Sequence, residues 1–300
     1  MSQPQGPNWQ GPGARGDGAR LKRVAGQFLV PADFDELPAY APECREFPYN
    51  RLIIPILKAV LRAQGLKIKV TGAENVPATG GGLLAANHTN YFDFIFAQIP
   101  AHLRGRRLTR FMAKKEVFEV PVVGGLMRAM HHLPVDRAAG AGSLDAAVAG
   151  LRAGNLVGIF PEATLSRSFE LKDFKTGAVR IADQAGVPLI PMVTWGGQRV
   201  WTKDLKKNLG RSKLPIVIKV GSPVDPSGDP VEATSRLRAA MADLLGQARA
   251  EYDAAFGPFG SGLAWRPRSQ GGSAPTLEQA AEIDARERAE RRARREAKRR

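Results

Sequence analysis

Short apolar runs alternate with stretches of helical period through most of the chain. Strand patterns stand at 67–70, 82–86, 110–113, 133–135, 156–160, 189–194 and 216–220. Helical patterns fall between them at 92–98, 122–132, 143–153 and 176–185, and a long one follows Pro230 over 231–252. Apolar runs without polar alternation, separated by helices, predict an α/β fold: a single domain with a largely parallel, helix-covered sheet. Ahead of the first run, 52–62 reads as an apolar helix carrying basic residues and broken or kinked by Pro55. It either packs on the core or lies on a bilayer surface with Phe47 and Tyr49 at the interface.

The ends of the chain lack this order. Residues 1–46 read as a disordered and then extended N-terminal segment, 47–256 as the folded domain, and 257–300 as a linker and basic C-terminal tail. Residues 1–20 are rich in Gly, Pro and Gln, and 257–276 in Gly, Ser and Pro. At 300 residues and 43% hydrophobic the chain has enough apolar material for a large core. A single cysteine, Cys44, excludes an internal disulfide. The start lacks the basic-then-apolar order of a signal peptide, and no long apolar run predicts a transmembrane helix. The expectation is a cytoplasmic protein, peripheral on the inner face of the cell membrane.

The net charge of +15 adds an anionic partner to the picture. Nine Lys/Arg against three Glu from Arg286 to Arg300 account for +6, so the rest of the chain is also basic. Nucleic acid, an anionic membrane surface and a phosphorylated substrate all satisfy such a balance. Few aromatics and no recognised nucleic-acid motif make nucleic acid the less favoured partner.

Chemistry-bearing residues gather where predicted strands end. His88 follows the run Gly82–Ala86, and Asp93 stands five residues on. Residues five apart do not share a helix face. If His88 lies in a turn, with Thr89 or Asn90 capping a helix just beyond, Asp93 falls in the first turn and folds back on the imidazole. A carboxylate on one ring nitrogen leaves the other as a base. At the end of 156–160 stand Glu162 and Thr164, followed by Arg167, Lys172, Lys175 and a predicted helix start at Gly177 whose N–H groups suit an anion. Arg137 ends another strand. His131 and His132 are adjacent, point apart on a helix and have no companions of metal-ligand spacing, so no metal is expected.

Taken together these motifs resemble the glycerolipid acyltransferases, the 1-acyl-sn-glycerol-3-phosphate acyltransferase family. The blocks are Asn87-His88 with Asp93, Val135-Asp136-Arg137, Phe160-Pro161-Glu162-Ala163-Thr164-Leu165-Ser166, and Val187-Pro188 with Pro191. The resemblance covers about 50–250 and implies a glycerol-3-phosphate acyltransferase-like fold. It further implies a base, His88, oriented by Asp93, and transfer of an acyl group to a lysophospholipid acceptor without a cofactor. The donor would be acyl-CoA or acyl carrier protein. Nearby backbone N–H groups at the helix start are candidates for holding the oxyanion. In the third block Ala163 replaces the usual glycine and Leu165 the usual arginine, which the family associates with the acceptor phosphate. Arg137, Glu162, Thr164, Arg167, Lys175 and, from a lysine-containing segment, Lys115 are the remaining acceptor-site candidates. An acceptor with another head group is the alternative.

Overall fold

One strand shows how the sheet is built. All five of its residues, Gly82 to Ala86, are buried, so it needs cover on both faces and a neighbour at each edge. The computed structural model describes residues 20–135 and 144–297. In chain order these contain β1 (Leu21–Val24), β2 (Phe28–Pro31), α1 (Ala41–Cys44), α2 (Ile54–Ala63), β3 (Lys67–Thr71), β4 (Gly82–Ala86), α3 (Asp93–Leu103), β5 (Thr109–Lys114), α4 (Lys115–Glu119) and α5 (Val123–Ala129). There follow β6 (Leu133–Val135), α6 (Asp145–Arg152), β7 (Leu156–Ile159), α7 (Gly177–Ala185), β8 (Leu189–Trp195), β9 (Pro215–Val220), α8 (Pro230–Phe256) and α9 (Leu277–Ala297).

The strands form one sheet in the order β1-β2-β3-β9-β8-β4-β7-β5-β6. Pairing is parallel except at β1–β2 and β8–β9. Period-two alternation along β4 divides the core. Leu84 and Ala86 pack with Ile95, Phe96 and Ile99 of α3 and Leu61 of α2, while Leu83 and Ala85 meet α6, α7 and α8 on the other side. The result is the α/β fold expected from the alternation of patterns, with helices on both faces. No helix among the described residues is long and apolar enough to cross a membrane.

Three stretches differ from expectation. Part of 21–46, read as extended chain, forms the β1–β2 hairpin, and Phe28 and Val30 are buried where β2 pairs with β3. Residues 257–276, read as a linker, pack on α8. Phe259 stacks on Tyr252 with centroids 5.7 Å apart, Trp265 meets Phe259 edge-on at 5.1 Å, and Arg266 forks onto Asp253 at 3.0 and 2.7 Å. A composition dominated by Gly, Ser and Pro conceals two aromatic anchors of this size. Pro55 does not kink α2. A π-helical turn over Tyr49–Ile53 runs into the helix, and Pro55 sits in its first turn, where a missing N–H costs nothing.

Candidate active site

The strand ends because a side chain takes over its pairing. Asn87, just past β4, accepts from Thr194 N–H at 2.8 Å and donates to Thr194 O at 3.1 Å, standing in for a peptide of the ladder to β8. The backbone is then free to turn at His88. Three contacts hold that turn. His88 N–H donates to Glu162 Oε1 at 2.9 Å, Ser166 N–H donates to His88 O at 2.7 Å, and Thr202 Oγ1 donates to Thr89 O at 2.6 Å.

Asp93 opens α3 and folds back across the turn. Its Oδ2 lies 3.1 Å from His88 Nδ1 and also accepts the N–H groups of Thr89 at 2.6 Å and Asn90 at 2.8 Å. The Asn90 amide donates to Oδ1, and its side-chain carbonyl accepts Phe92 N–H; Phe92, rather than Thr89 or Asn90, is the N-cap residue of α3. Gly197 makes room for that amide: a Cβ there would stand 2.3 Å from Asn90 Nδ2. Asp93 is 1% exposed, and burial raises its pKa against the pull of His88, Asn90 and Thr89. Four donors meet its two oxygens, three of them on Oδ2, and together they suit the carboxylate over the acid. A carboxylate can only accept, which places the imidazole proton on Nδ1 and leaves Nε2 as the basic nitrogen. The ring stacks on Phe160 with centroids 4.4 Å apart and is 25% exposed. The pair can take a proton at Nε2 while Asp93 steadies the imidazolium.

The turn cannot also hold an oxyanion. Every N–H from His88 to Asp93 has an internal acceptor: Glu162, Asp93, Asp93, Trp201 O, Asn90 Oδ1 and Asn90 O in turn. The N–H groups of this turn are thus engaged within the protein, those of Thr89 and Asn90 on Asp93 itself.

The other candidates scatter. Glu162 is buried and bridges His88 N–H and Lys172 N–H, the latter at 3.2 Å. Burial pushes its pKa up to about 7, against those two donors. Thr164 Oγ1 accepts from Lys172 Nζ at 2.7 Å. Leu165, where the family carries an arginine, is buried. Arg167 is buried too, its guanidinium held by Asp284, Asp204 and Glu287. Lys175 is exposed just before α7, with its N–H on Pro161 O, and Lys115 is exposed at the start of α4. Arg137 lies outside the described residues. His132 accepts from Phe111 N–H at 3.0 Å and is buried, while the His131 side chain is 68% exposed, so the two rings diverge. Sequence reasoning missed Asn90, Thr202 and Phe160 as supports of the pair. Only Asn90 carried a local signal, as an amide three residues before a helix carboxylate.

An acyltransferase family model matches residues 67–195, which spans β3 to β8 and the whole His88 turn. The fold is similar to the crystal structure of the 1-acyl-sn-glycerophosphate acyltransferase from Thermotoga maritima. That likeness has a TM-score of 0.50 at 24% identity and covers 68% of this chain and 82% of that one. The 1-acyl-sn-glycerol-3-phosphate acyltransferase of Salmonella typhimurium is 33% identical over 198 residues, covering 63% of this chain and 75% of that protein. That of Bacillus subtilis is 33% identical over 196 residues, covering 64% of this chain and 90% of that protein. With a relative so nearly covered end to end, and the same block of sequence carrying the His88–Asp93 turn, the chain belongs to the 1-acyl-sn-glycerol-3-phosphate acyltransferase family.

Proposed function

We propose that this acyltransferase moves a fatty acyl group from an acyl thioester to the free hydroxyl of 1-acylglycerol 3-phosphate, giving phosphatidate. The observation that carries this reading is the His88–Asp93 pair, 3.1 Å apart in a turn clamped from three sides. His88 Nε2 takes the proton of the acceptor hydroxyl as its oxygen bonds to the thioester carbonyl carbon. Collapse of the tetrahedral intermediate breaks the carbon–sulfur bond, and the imidazolium returns the proton to the departing thiolate. Asp93 keeps the ring in one tautomer and stabilises its charged form. Acyl-CoA and acyl carrier protein are both donors of the required chemistry.

The acceptor and the enzyme meet at an anionic membrane in this reading. On α2, Ile54 and Leu61 are buried, whereas Leu52, just before the helix, with Ile56 and Val60 forms a stripe 40–49% exposed. The buried face packs on the core, and the exposed stripe supports the reading of α2 as a membrane-facing helix. Phe47, 71% exposed, and Lys/Arg side chains nearby extend the surface that would touch an anionic leaflet. Association with the inner face of the cell membrane is part of this proposal.

A non-phosphorylated lysolipid is the second reading of the acceptor, favoured by buried Leu165 at the position of the family's arginine. Lys175, Lys115 and Arg137 are the basic side chains this reading leaves without a task. The test is thiol release from acyl-CoA with anionic vesicles, offering lysophosphatidate, glycerol 3-phosphate and non-phosphorylated lysolipids separately. Lysophosphatidate-dependent release that falls about 10²–10⁴-fold in His88→Ala supports the proposal. Equal release by both proteins removes His88 from the chemistry, and preference for an uncharged lysolipid replaces the acceptor.

A further inference from the structure

Three cations converge on one carboxylate of α9. Asp284 accepts from Arg167 Nε at 2.9 Å, from Lys203 Nζ at 3.0 Å and from Lys172 Nζ at 3.2 Å. Glu287, on the same helix face, accepts from Arg167 Nη2, and Asp204 from Nη1. Burial would raise the Asp284 pKa, but the donors from Arg167, Lys203 and Lys172 outweigh it and hold it at about 2. Arg167 forms the floor at 3% exposure, while the Asp204 and Glu287 side chains are 55% and 36% exposed, so this corner opens to solvent.

Each cation stands on a segment tied to the His88 turn. Ser166, before Arg167, donates to His88 O; Thr202, before Lys203, donates to Thr89 O; Lys172 N–H shares Glu162 with His88 N–H. Lys172 also donates to Thr164, two residues after Glu162.

The helix that covers these cations is held more by charge than by apolar burial. Ala280 is buried at 5%, but Leu277 and Ile283 stay 38% and 37% exposed. It also lies beyond the residues matched by the family model, as does Lys203, whereas Arg167 and Lys172 lie within them. Its two carboxylates supply about the charge of one phosphate monoester, −1.5 to −2 near neutral pH.

We propose that Arg167, Lys172 and Lys203 form a binding site for the phosphate monoester of the acceptor, and that α9 closes it in the free protein with Asp284 and Glu287 as stand-ins. The proposal rests on the reading that the acceptor carries a phosphate. Helix and acceptor then compete, and the apparent affinity is lowered by the fraction of protein that is closed. The arrangement assigns the phosphate role to Arg167 without requiring an arginine at Leu165.

The test compares the full-length protein with Asp284→Asn/Glu287→Gln, which keeps side-chain shape, and with Asp284→Ala/Glu287→Ala. Binding of sn-glycerol 3-phosphate is measured by calorimetry, with glycerol as the uncharged control. Both variants are expected to bind it about tenfold more tightly than the parent, with a matching fall in KM for lysophosphatidate. Adding Arg167→Met should abolish the gain. Folded variants that bind glycerol 3-phosphate no better than the parent, or whose KM rises, overturn the proposal and make α9 a brace. Failure of the acceptor reading looks different: no protein turns over lysophosphatidate, whatever the binding result.

Discussion

Asn90 is the residue on which the geometry at His88 most depends without reacting itself. Its N–H and side-chain amide both hold Asp93, and its side-chain carbonyl accepts Phe92 N–H. Removing the side chain by Asn90→Ala deprives a buried carboxylate of a donor worth about 1.5–3 kcal/mol. We expect kcat to fall about tenfold or more while KM for the donor holds, measured by steady-state thiol release. Ala163 makes a second case. It adopts φ of 59°, the left-handed region that favours glycine, which accounts for the family's glycine there. Ala163→Gly should stabilise the fold by about 1 kcal/mol, read from denaturant midpoints at constant slope. Glu162 gives a prediction in pH. Burial lifts its pKa from 4.5 to about 7, so the folded state holds a proton that the unfolded state releases. Its contribution to stability is complete below 4.5 and is lost as pH rises through about 7. Glu162→Gln should flatten the decline in melting temperature between about pH 5 and about pH 8. At this scale the sequence showed that His88 and Asp93 meet only across a turn. It did not show that the turn's N–H groups all find acceptors within the protein, because two of those acceptors, Glu162 and Trp201 O, come from distant segments.

Among elements, those with two covered faces were legible and those with one were not. β4, β7 and β8 read as unbroken apolar runs because helices cover both sides of the sheet. The β1–β2 hairpin did not, since its four-residue strands gain their burial from β3, a partner 40 residues on. α2 is the clearest instance of an element with two readings, because its buried and exposed stripes are both apolar. Replacing Leu52, Ile56 and Val60 together by Ser should leave the fold intact and cut co-sedimentation with anionic vesicles. Unchanged vesicle binding would move the docking surface elsewhere. The aromatic contacts at Phe259 and Trp265 are a similar lesson: local composition marks a loop, but only the packed structure shows that it covers α8.

For the whole molecule, charge and topology were legible in different degrees. A net charge of +15 is compatible with lipid or nucleic acid, and it was the turn at His88 with the family match that favoured lipid. Binding to anionic vesicles should weaken steeply as salt is raised, since exposed charges are screened beyond about 10 Å at 0.1 M. The charge over α9 is not simply a tail, because Asp284 and Glu287 turn toward Arg167. Those partners of Arg167 lie 117 and 120 residues further along the chain. A chain growing from its N-terminus forms the sheet and the His88 turn before α9 exists, while Arg167 has only Asp204 opposite it. Charge balance at that corner therefore waits on two carboxylates synthesised well after Arg167, which separates closure over the cations from the ordering of the strands around His88.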